Sequence, residues 1–426
     1  MKTPWTRRIG RRLNMDFDYV ASGGTLLMVD HVINLATSLL SLFVLTRALD
    51  KSAYGVYAYI VGVFMLMMPL TLPGVSHAMI RSIGRGYDGA LRNGSKRRLL
   101  GGLVATVVAA VVAFVFYRQG YAERAVAMAA AAPLFPFAFA VDDFKSALHA
   151  KKRFAAFTVA NGAVNVLSAG ATVATALMGA SVPVVLAANF GGRGLGNLLA
   201  LWWVDRRREN ADVDPDFGSY GRNYSIIAAI NSVSFSLDQV LVGSFYEMTI
   251  MASYGLATRL SEPARMIGVL VNRLAWPKAV NMSGPEATRK FLRMLVWLAV
   301  GLTLLGVVSI VLLPILLPWI FPGYDDAVPL AAVMLVSALL SVIVTYLETY
   351  FISQDRHQRF YYAATTARPV GTILLMLALM KPFGFWGLIF ARLIARLASC
   401  VVLTGRMIYE THHPAPDDGA SQERGE

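Results

Sequence analysis

FWGLIFARLIARLASCVVL, residues 385–403, is a run of apolar and small side chains interrupted by two charges, Arg392 and Arg396. A bilayer core about 30 Å thick needs a helix of about 20 residues, so the run is long enough to cross it. The two arginines are four residues apart and therefore share one helical face. Because charged side chains inside a membrane are costly, they usually mark a functional pathway. The run therefore predicts a membrane-spanning helix with a functional charged face.

Similar apolar runs recur along the whole chain of 426 residues. The chain is 56% hydrophobic, has a mean hydropathy of +0.54 and contains 15% charged residues, whereas soluble domains contain roughly 25%. The first 21 residues are basic, but the apolar run after them is too long for a signal peptide and has no small-residue cleavage site. Apolar windows predict twelve spans, at residues 22–46, 53–80, 99–117, 122–141, 154–178, 182–203, 223–246, 250–277, 291–313, 327–350, 360–380 and 384–405.

The positive charges fall almost entirely on one side of these predicted spans. With the N-terminus in the cytoplasm, and with charges in the first three residues of a span assigned to the adjoining loop, 27 of the 39 Lys and Arg residues lie inside, 5 lie outside and 7 lie within spans. This matches the positive-inside rule, and an odd number of spans would destroy the alternation. We therefore expect both termini in the cytoplasm, and we expect the net charge of +13 to reflect orientation rather than binding to nucleic acid.

The longest polar connection, VDRRRENADVDPDFGSYGRN at 204–223, divides the predicted spans into two sets of six. AYG at 53–55 recurs as SYG at 253–255, at the same place in each half, and such parallel repeats are typical of some transporters. We predict a cytoplasmic segment (1–21), an N-terminal six-helix lobe (22–203), a cytoplasmic linker (204–222), a C-terminal six-helix lobe (223–408) and a polar, disordered tail (409–426).

Two stretches carry a family resemblance: LTRALDKSAYGVYAYIVGVFMLMMPLTLPGVSHAMIRSIGR at 45–85 and LDQVLVGSFYEMTIMASYGLATRLSEP at 237–263. They resemble the Wzx-type flippases for O-antigen and exopolysaccharide, which belong to the multidrug/oligosaccharidyl-lipid/polysaccharide exporter superfamily. The resemblance implies an all-α integral membrane protein with twelve transmembrane helices in two six-helix lobes around a central cavity, both termini cytoplasmic.

The same resemblance implies a cargo and a location. The cargo would be a polyprenyl-diphosphate-linked oligosaccharide, moved from the cytoplasmic to the outer face of the bacterial inner membrane, among membrane lipids and in concert with a polysaccharide polymerase and glycosyltransferases. One departure matters, because the related lipid II flippases usually have fourteen spans and arginines in the first two helices. Here the first span offers Asp30 and His31 instead.

The charges predicted within the membrane are the candidate site. At about 1.5 Å per residue, five arginines lie roughly 12–18 Å from the nearer end of their predicted helices. Guanidinium groups bind phosphate oxygens in a bidentate manner, so such a group could carry a diphosphate across the bilayer. The candidate substrate-binding residues are Arg193, Arg259, Arg368, Arg392 and Arg396.

Acidic side chains within the spans are fewer. Asp30 and Asp238 could carry a coupling proton or sodium ion, because burial raises the pKa of a carboxylate. Glu262 is three residues from both Arg259 and Arg265 and can pair with either of them. No other cofactor is predicted. The six Lys and Arg residues of the loop from 81 to 98 are interpreted as anchors at the membrane surface.

Other classes of protein fit the sequence less well. A multidrug or small-molecule exporter of the same superfamily is the first alternative, although a cation exporter should have an acidic cavity. An integral-membrane polymerase or glycosyltransferase usually has a large outer loop, and here the outer connections are short. No set of His and Cys has metal-ligand spacing, and no phosphate-binding glycine loop or nucleophile elbow is present. We therefore predict a transporter rather than an enzyme, with no metal site.

Overall fold

Helices make up nearly all of the computed structural model, which describes residues 17–215, 217–280, 285–352 and 358–412. The described residues contain no β-strand. Helical structure is expected in a membrane, because the backbone must satisfy its hydrogen bonds without water. The α-helices are α1 (Phe17–Ala48), α2 (Lys51–Met67), α3 (Pro73–Gly84), α4 (Gly89–Arg118), α5 (Ala122–Ala131), α6 (Phe144–Ala150), α7 (Phe154–Leu177), α8 (Val182–Asp205), α9 (Phe217–Phe245), α10 (Met248–Val280), α11 (Pro285–Ile320), α12 (Ala327–Ile352) and α13 (Gln358–His412).

Two of the predicted spans are broken at prolines. Between α2 and α3 a 3₁₀ turn at Met68–Thr71 leads to Leu72, whose φ of 54° is left-handed. After α5 the chain forms a 3₁₀ turn at Ala132–Leu134 and a π-helical turn at Pro136–Ala140. Proline removes a backbone donor and clashes with the preceding turn, so both breaks follow from the sequence. Each break leaves backbone carbonyl groups without helical partners.

Helix α13 reverses direction at Gly384. This residue has φ 56° and ψ −135°, which glycine adopts without a Cβ penalty. Beyond it, Gly387 lies so close to Leu379 that a Cβ at Gly387 would be 2.1 Å from the carbonyl oxygen of Leu379. In a straight helix these two residues would be about 12 Å apart. The chain therefore folds back between the two spans predicted at 360–380 and 384–405.

The chain divides into two compact units, residues 1–255 and 256–426. In the first unit, four phenylalanine rings from three predicted spans pack together, with ring centroids 5.0–5.3 Å apart; they are Phe64, Phe135, Phe139 and Phe190. In the second unit, Phe291 stacks on Tyr346 with ring centroids 4.2 Å apart. The different boundary predicted from the sequence, a linker at 204–222 between two six-helix lobes, stays a prediction.

The repeated tripeptides AYG, in α2, and SYG, in the first turns of α10, each pack against the other helix. A Cβ at Gly55 would be 1.8 Å from the carbonyl oxygen of Met248, where α10 begins. A Cβ at Gly255 would be 2.9 Å from the Cβ of Ala58 in α2. Both glycines therefore allow α2 and the start of α10 to approach closely.

All twelve predicted spans lie in helical segments of the structure. Within the described residues, eight helices are long and apolar enough to cross a membrane, and a ninth is added if the pair of helices bent by 49° between 122 and 150 forms one span. The protein is therefore an all-α, multi-pass membrane protein. The count of twelve and the cytoplasmic position of both termini stay predictions.

Candidate functional site

The C-terminal unit contains four of the five candidate arginines, and neighbouring charges connect them. On α10, the Nη1 atom of Arg259 is 3.2 Å from a carboxylate oxygen of Glu262, as the spacing of three residues predicts. Arg265, three residues beyond Glu262, lies within electrostatic reach of Glu262 and of Arg392 on α13. The charges of Arg265 and Arg392 are therefore in the same part of the C-terminal unit as the Glu262 carboxylate.

The second part of this group lies between α12 and α13. Arg396 follows Arg392 by one helical turn and donates a 2.6 Å hydrogen bond to the hydroxyl of Ser337. Arg368 pairs with Glu348. The thiol of Cys400 lies within electrostatic reach of both Arg368 and Arg396.

We call these five arginines and two glutamates the arginine ladder: Arg259, Arg265, Arg368, Arg392 and Arg396 with Glu262 and Glu348. Its formal charge is +3. The side chains of the two ion pairs are partly exposed, with 43% for Arg259 and 30% for Arg368. The arginine ladder therefore has more positive than negative formal charges, and the arginines of its two ion pairs are partly exposed.

Arg193 is placed differently, in the N-terminal unit. Its Nε atom donates a 3.2 Å hydrogen bond to the carbonyl of Ala138 in the π-helical turn, and its guanidinium lies 4.9 Å from the centroid of Phe139. It also faces the charges of Asp142 and Lys145. Arg193 thus belongs to the packing around a broken helix, and it lies outside the arginine ladder.

The two candidate coupling acids are both buried, but they have different partners. Asp30 is 5% exposed and accepts a 2.7 Å hydrogen bond from the amide of Asn161 on α7. Asp238 is fully buried and accepts a hydrogen bond from the hydroxyl of Tyr254. Each carboxylate therefore has a neutral hydrogen-bond donor beside it.

A buried ionic cluster was missed by the sequence analysis. Arg98, interpreted as a surface anchor, is only 4% exposed and binds Asp142, at 2.8 Å, and Asp143. It also donates to the carbonyls of Thr71, at 3.3 Å, and Phe139, at 2.9 Å. The prediction of a surface anchor was wrong for Arg98, because the two proline breaks create carbonyl acceptors that a guanidinium satisfies.

Lys145 completes this Arg98 cluster by pairing with Asp142 at 3.2 Å. Adjacent acids at the end of a proline-broken span are the signal that could have identified the cluster, since buried carboxylates need a cation nearby. The described residues contain no group of three or more His, Cys, Asp or Glu side chains suited to a metal ion.

The fold defines a class of protein, the multi-pass membrane proteins, and within that class it is similar to the fold of transporters of the MOP superfamily. The fold matches an inward-facing MATE multidrug resistance transporter of that superfamily, with a TM-score of 0.65, 13% identity, and coverage of 91% of this chain and 99% of that one. It also matches the eukaryotic MATE transporter AtDTX14, with a TM-score of 0.65, 12% identity, and coverage of 93% and 96%. The fold also matches the inward closed conformation of the lipid II flippase MurJ, with a TM-score of 0.66, 11% identity, and coverage of 90% of this chain and 86% of that one.

A match to the sequence model of a protein family identifies the family of this chain. Residues 20–276 match the model of the family described as polysaccharide biosynthesis protein. The match covers more than half of the chain, so the protein belongs to that family. No curated protein matches the chain by sequence.

Proposed function

We propose that the protein flips a polyprenyl-diphosphate-linked oligosaccharide from the cytoplasmic to the outer face of the bacterial inner membrane. Transport would proceed by alternating access and would serve the assembly of a surface polysaccharide or exopolysaccharide. Membership of the polysaccharide biosynthesis family supports a glycan as the cargo. The similarity to a lipid II flippase is a similarity of fold. The observation that carries the proposal is the excess positive charge of the arginine ladder.

The diphosphate is the part of the cargo that most needs protein contacts. An isolated charged group that leaves water for an apolar medium loses many kcal/mol of hydration. Guanidinium groups compensate with charge-assisted, bidentate hydrogen bonds to phosphate oxygens. Arg392 and Arg396 are our candidates for this contact, since they lie one helical turn apart and Arg392 is within electrostatic reach of another cation, Arg265. The glutamates that pair with Arg259 and Arg368 would moderate the affinity, so that the cargo can be released.

Energy coupling is assigned to Asp30. Its carboxylate is buried and accepts a hydrogen bond from a neutral amide, that of Asn161. Asp238 is the second candidate. A glycosyltransferase that completes the lipid-linked unit and a polymerase that consumes it are the partners this function requires.

The test is translocation in proteoliposomes of a fluorescent polyprenyl-diphosphate oligosaccharide, measured as the fraction that an external quencher reaches. The double substitution Arg392→Gln and Arg396→Gln should slow translocation at least about tenfold, because charge-assisted hydrogen bonds contribute roughly 1.5–3 kcal/mol each. Arg406→Gln, on the same helix, is the matched control and should translocate at the normal rate. Substitution of both ladder residues by lysine should recover only part of the rate, since lysine cannot form bidentate contacts.

Two results would overturn the proposal. Translocation by the double glutamine variant at the rate of the unaltered protein would remove the arginine ladder from the transport path. Efflux of a cationic dye, with no movement of the lipid-linked glycan, would instead establish a multidrug exporter.

A further inference from the structure

The polar connection between the predicted halves is held against the N-terminal unit. We call residues 205–215 the connector. The carboxylate of Asp88 accepts hydrogen bonds from the backbone N–H of Glu209, at 2.8 Å, and from Lys151, at 2.7 Å. The side chain of Asn210 accepts from the backbone N–H of Asp88 at 3.0 Å. These contacts fix the start of the connector beside α4 and α6.

Further contacts fix both ends of the connector. Asp205 pairs with Arg92 at 3.2 Å and with Arg208 at 2.7 Å. At the other end, Asp214 accepts a 3.1 Å hydrogen bond from Ser82. The pKa of Lys151 is raised, because its hydrogen bonds to Asp88 and Glu209 outweigh the opposing effect of burial. Lys151 and Arg208 therefore have their charges compensated within the connector region.

A pocket lies between the connector and the ends of α6 and α8. Its wall combines one acid, four cations and six apolar residues: Asp88; Lys151, Arg153, Arg207 and Arg208; and Ile83, Leu91, Ala147, Leu148, Trp203 and Val204. Arg153 and Arg207 are exposed. Within the part of the chain that the structure describes, neither forms an ion pair. The pocket therefore offers two uncompensated guanidinium groups beside an apolar wall.

The pocket adjoins the predicted cytoplasmic end of a span, that of α8. Trp202 and Trp203 end α8, one of the helices apolar enough to span a membrane, and tryptophan at such helix ends is typical of the interface. Arg207 lies 4.4 Å from the centroid of Trp203, and Arg206 lies 4.0 Å from that of Trp202. We therefore expect these guanidinium groups at the level of the lipid headgroups.

We propose that the exposed rim of this pocket binds the phosphate headgroup of an anionic phospholipid in the leaflet to which the positive-inside rule assigns the cytoplasm. Arg153 and Arg207 contact the phosphate, and Trp203 contacts the glycerol and the first acyl carbons. Basic pockets between membrane helices on this side are suited to anionic headgroups. The site goes beyond the proposed flippase activity and does not depend on which cargo is moved.

The experiment is a titration of the purified full-length protein, in neutral detergent, with phosphatidylglycerol or phosphatidylcholine, with bound lipid counted by native mass spectrometry. The double variant Arg153→Gln and Arg207→Gln should bind phosphatidylglycerol about tenfold more weakly, since each cation near the surface contributes to anionic lipid binding. Lys152→Gln with Arg118→Gln removes the same charge from outside the pocket and should bind normally. Phosphatidylcholine binding should be equal in all three proteins.

Three outcomes would overturn the lipid site. Unchanged phosphatidylglycerol binding by the double variant would show that the two arginines do not form it. An equal loss in the control variant would assign the effect to overall surface charge. Displacement of the lipid by an equal concentration of glycerol phosphate would show a site for a free phosphate group instead. Size-exclusion profiles and thermal midpoints matching those of the unaltered protein show that the variants are folded.

Discussion

Replacement of Arg98 by methionine should severely destabilise the N-terminal unit. Methionine fills much of the volume of the arginine stem but supplies no charge and no donor. The substitution leaves Asp143, which is fully buried, and the largely buried Asp142 without the guanidinium that binds both. It also leaves the carbonyls of Thr71 and Phe139 without their side-chain donor.

The magnitude follows from the burial of the pair. Removal of one partner of a buried ion pair costs about 3–5 kcal/mol, because the other charge stays buried without compensation. Arg92→Met is the matched control on the same helix, with a side chain that is 62% exposed and pairs with Asp205 at 3.2 Å. An exposed ion pair of this kind contributes only about 0–1 kcal/mol. We expect the two variants to differ by several kcal/mol in the free energy of unfolding.

The assay is thermal unfolding in detergent, followed by the loss of the monodisperse peak in size-exclusion chromatography. Arg98→Met should lower the midpoint by many degrees, and Arg92→Met should lower it little. The double variant Arg98→Met with Asp143→Asn should lose less than the two single variants together, because the pair is coupled. Equal midpoints for the Arg98 and Arg92 variants, or strict additivity in the double variant, would refute a buried ion pair.

Two further predictions concern packing and the connector. Gly55→Ala should destabilise the protein by about 1–3 kcal/mol, since its Cβ would be 1.8 Å from the carbonyl oxygen of Met248. The control Gly24→Ala has open space around the new Cβ and should not destabilise the protein. Equal thermal midpoints for the two variants would contradict the close approach at Gly55. Lys151→Met should increase amide hydrogen exchange in the connector at neutral pH, and unchanged exchange would mean that Lys151 does not hold it. Because the pKa of Lys151 is raised from 10.5, its stabilisation is fully present below that pH and is lost only as the pH rises above it.

Local spacing explains which parts of the site could be predicted. The pairing of Arg259 with Glu262 follows from a separation of three residues on a helix, so it was visible in the sequence. The pairing of Arg368 with Glu348 joins two helices and depends on how α12 packs on α13. The Arg98 cluster depends on two helix breaks that are distant from each other in the sequence. Hydropathy identifies each broken span as apolar but does not indicate which carbonyls the break exposes.

The connector illustrates the same limit. Its polar composition is that of a solvated linker, and nothing in its periodicity indicates a binding partner. Its order comes from long-range contacts, chiefly through Asp88, which is itself located in a loop. Composition therefore predicts a polar connection at this place in the chain, while the side-chain partners of that segment required the three-dimensional structure.

The two units use their arginines in different ways. In the N-terminal unit, Arg98 and Arg193 donate to carbonyl groups freed by broken helices, so most of their hydrogen-bonding capacity serves the fold. In the C-terminal unit, the ladder combines five arginines with two glutamates, and Arg265 lies within electrostatic reach of Arg392. Among the described residues the arginine ladder thus has a formal charge of +3, and a diphosphate has the negative charge and the geometry to bind guanidinium groups, as our proposed function requires.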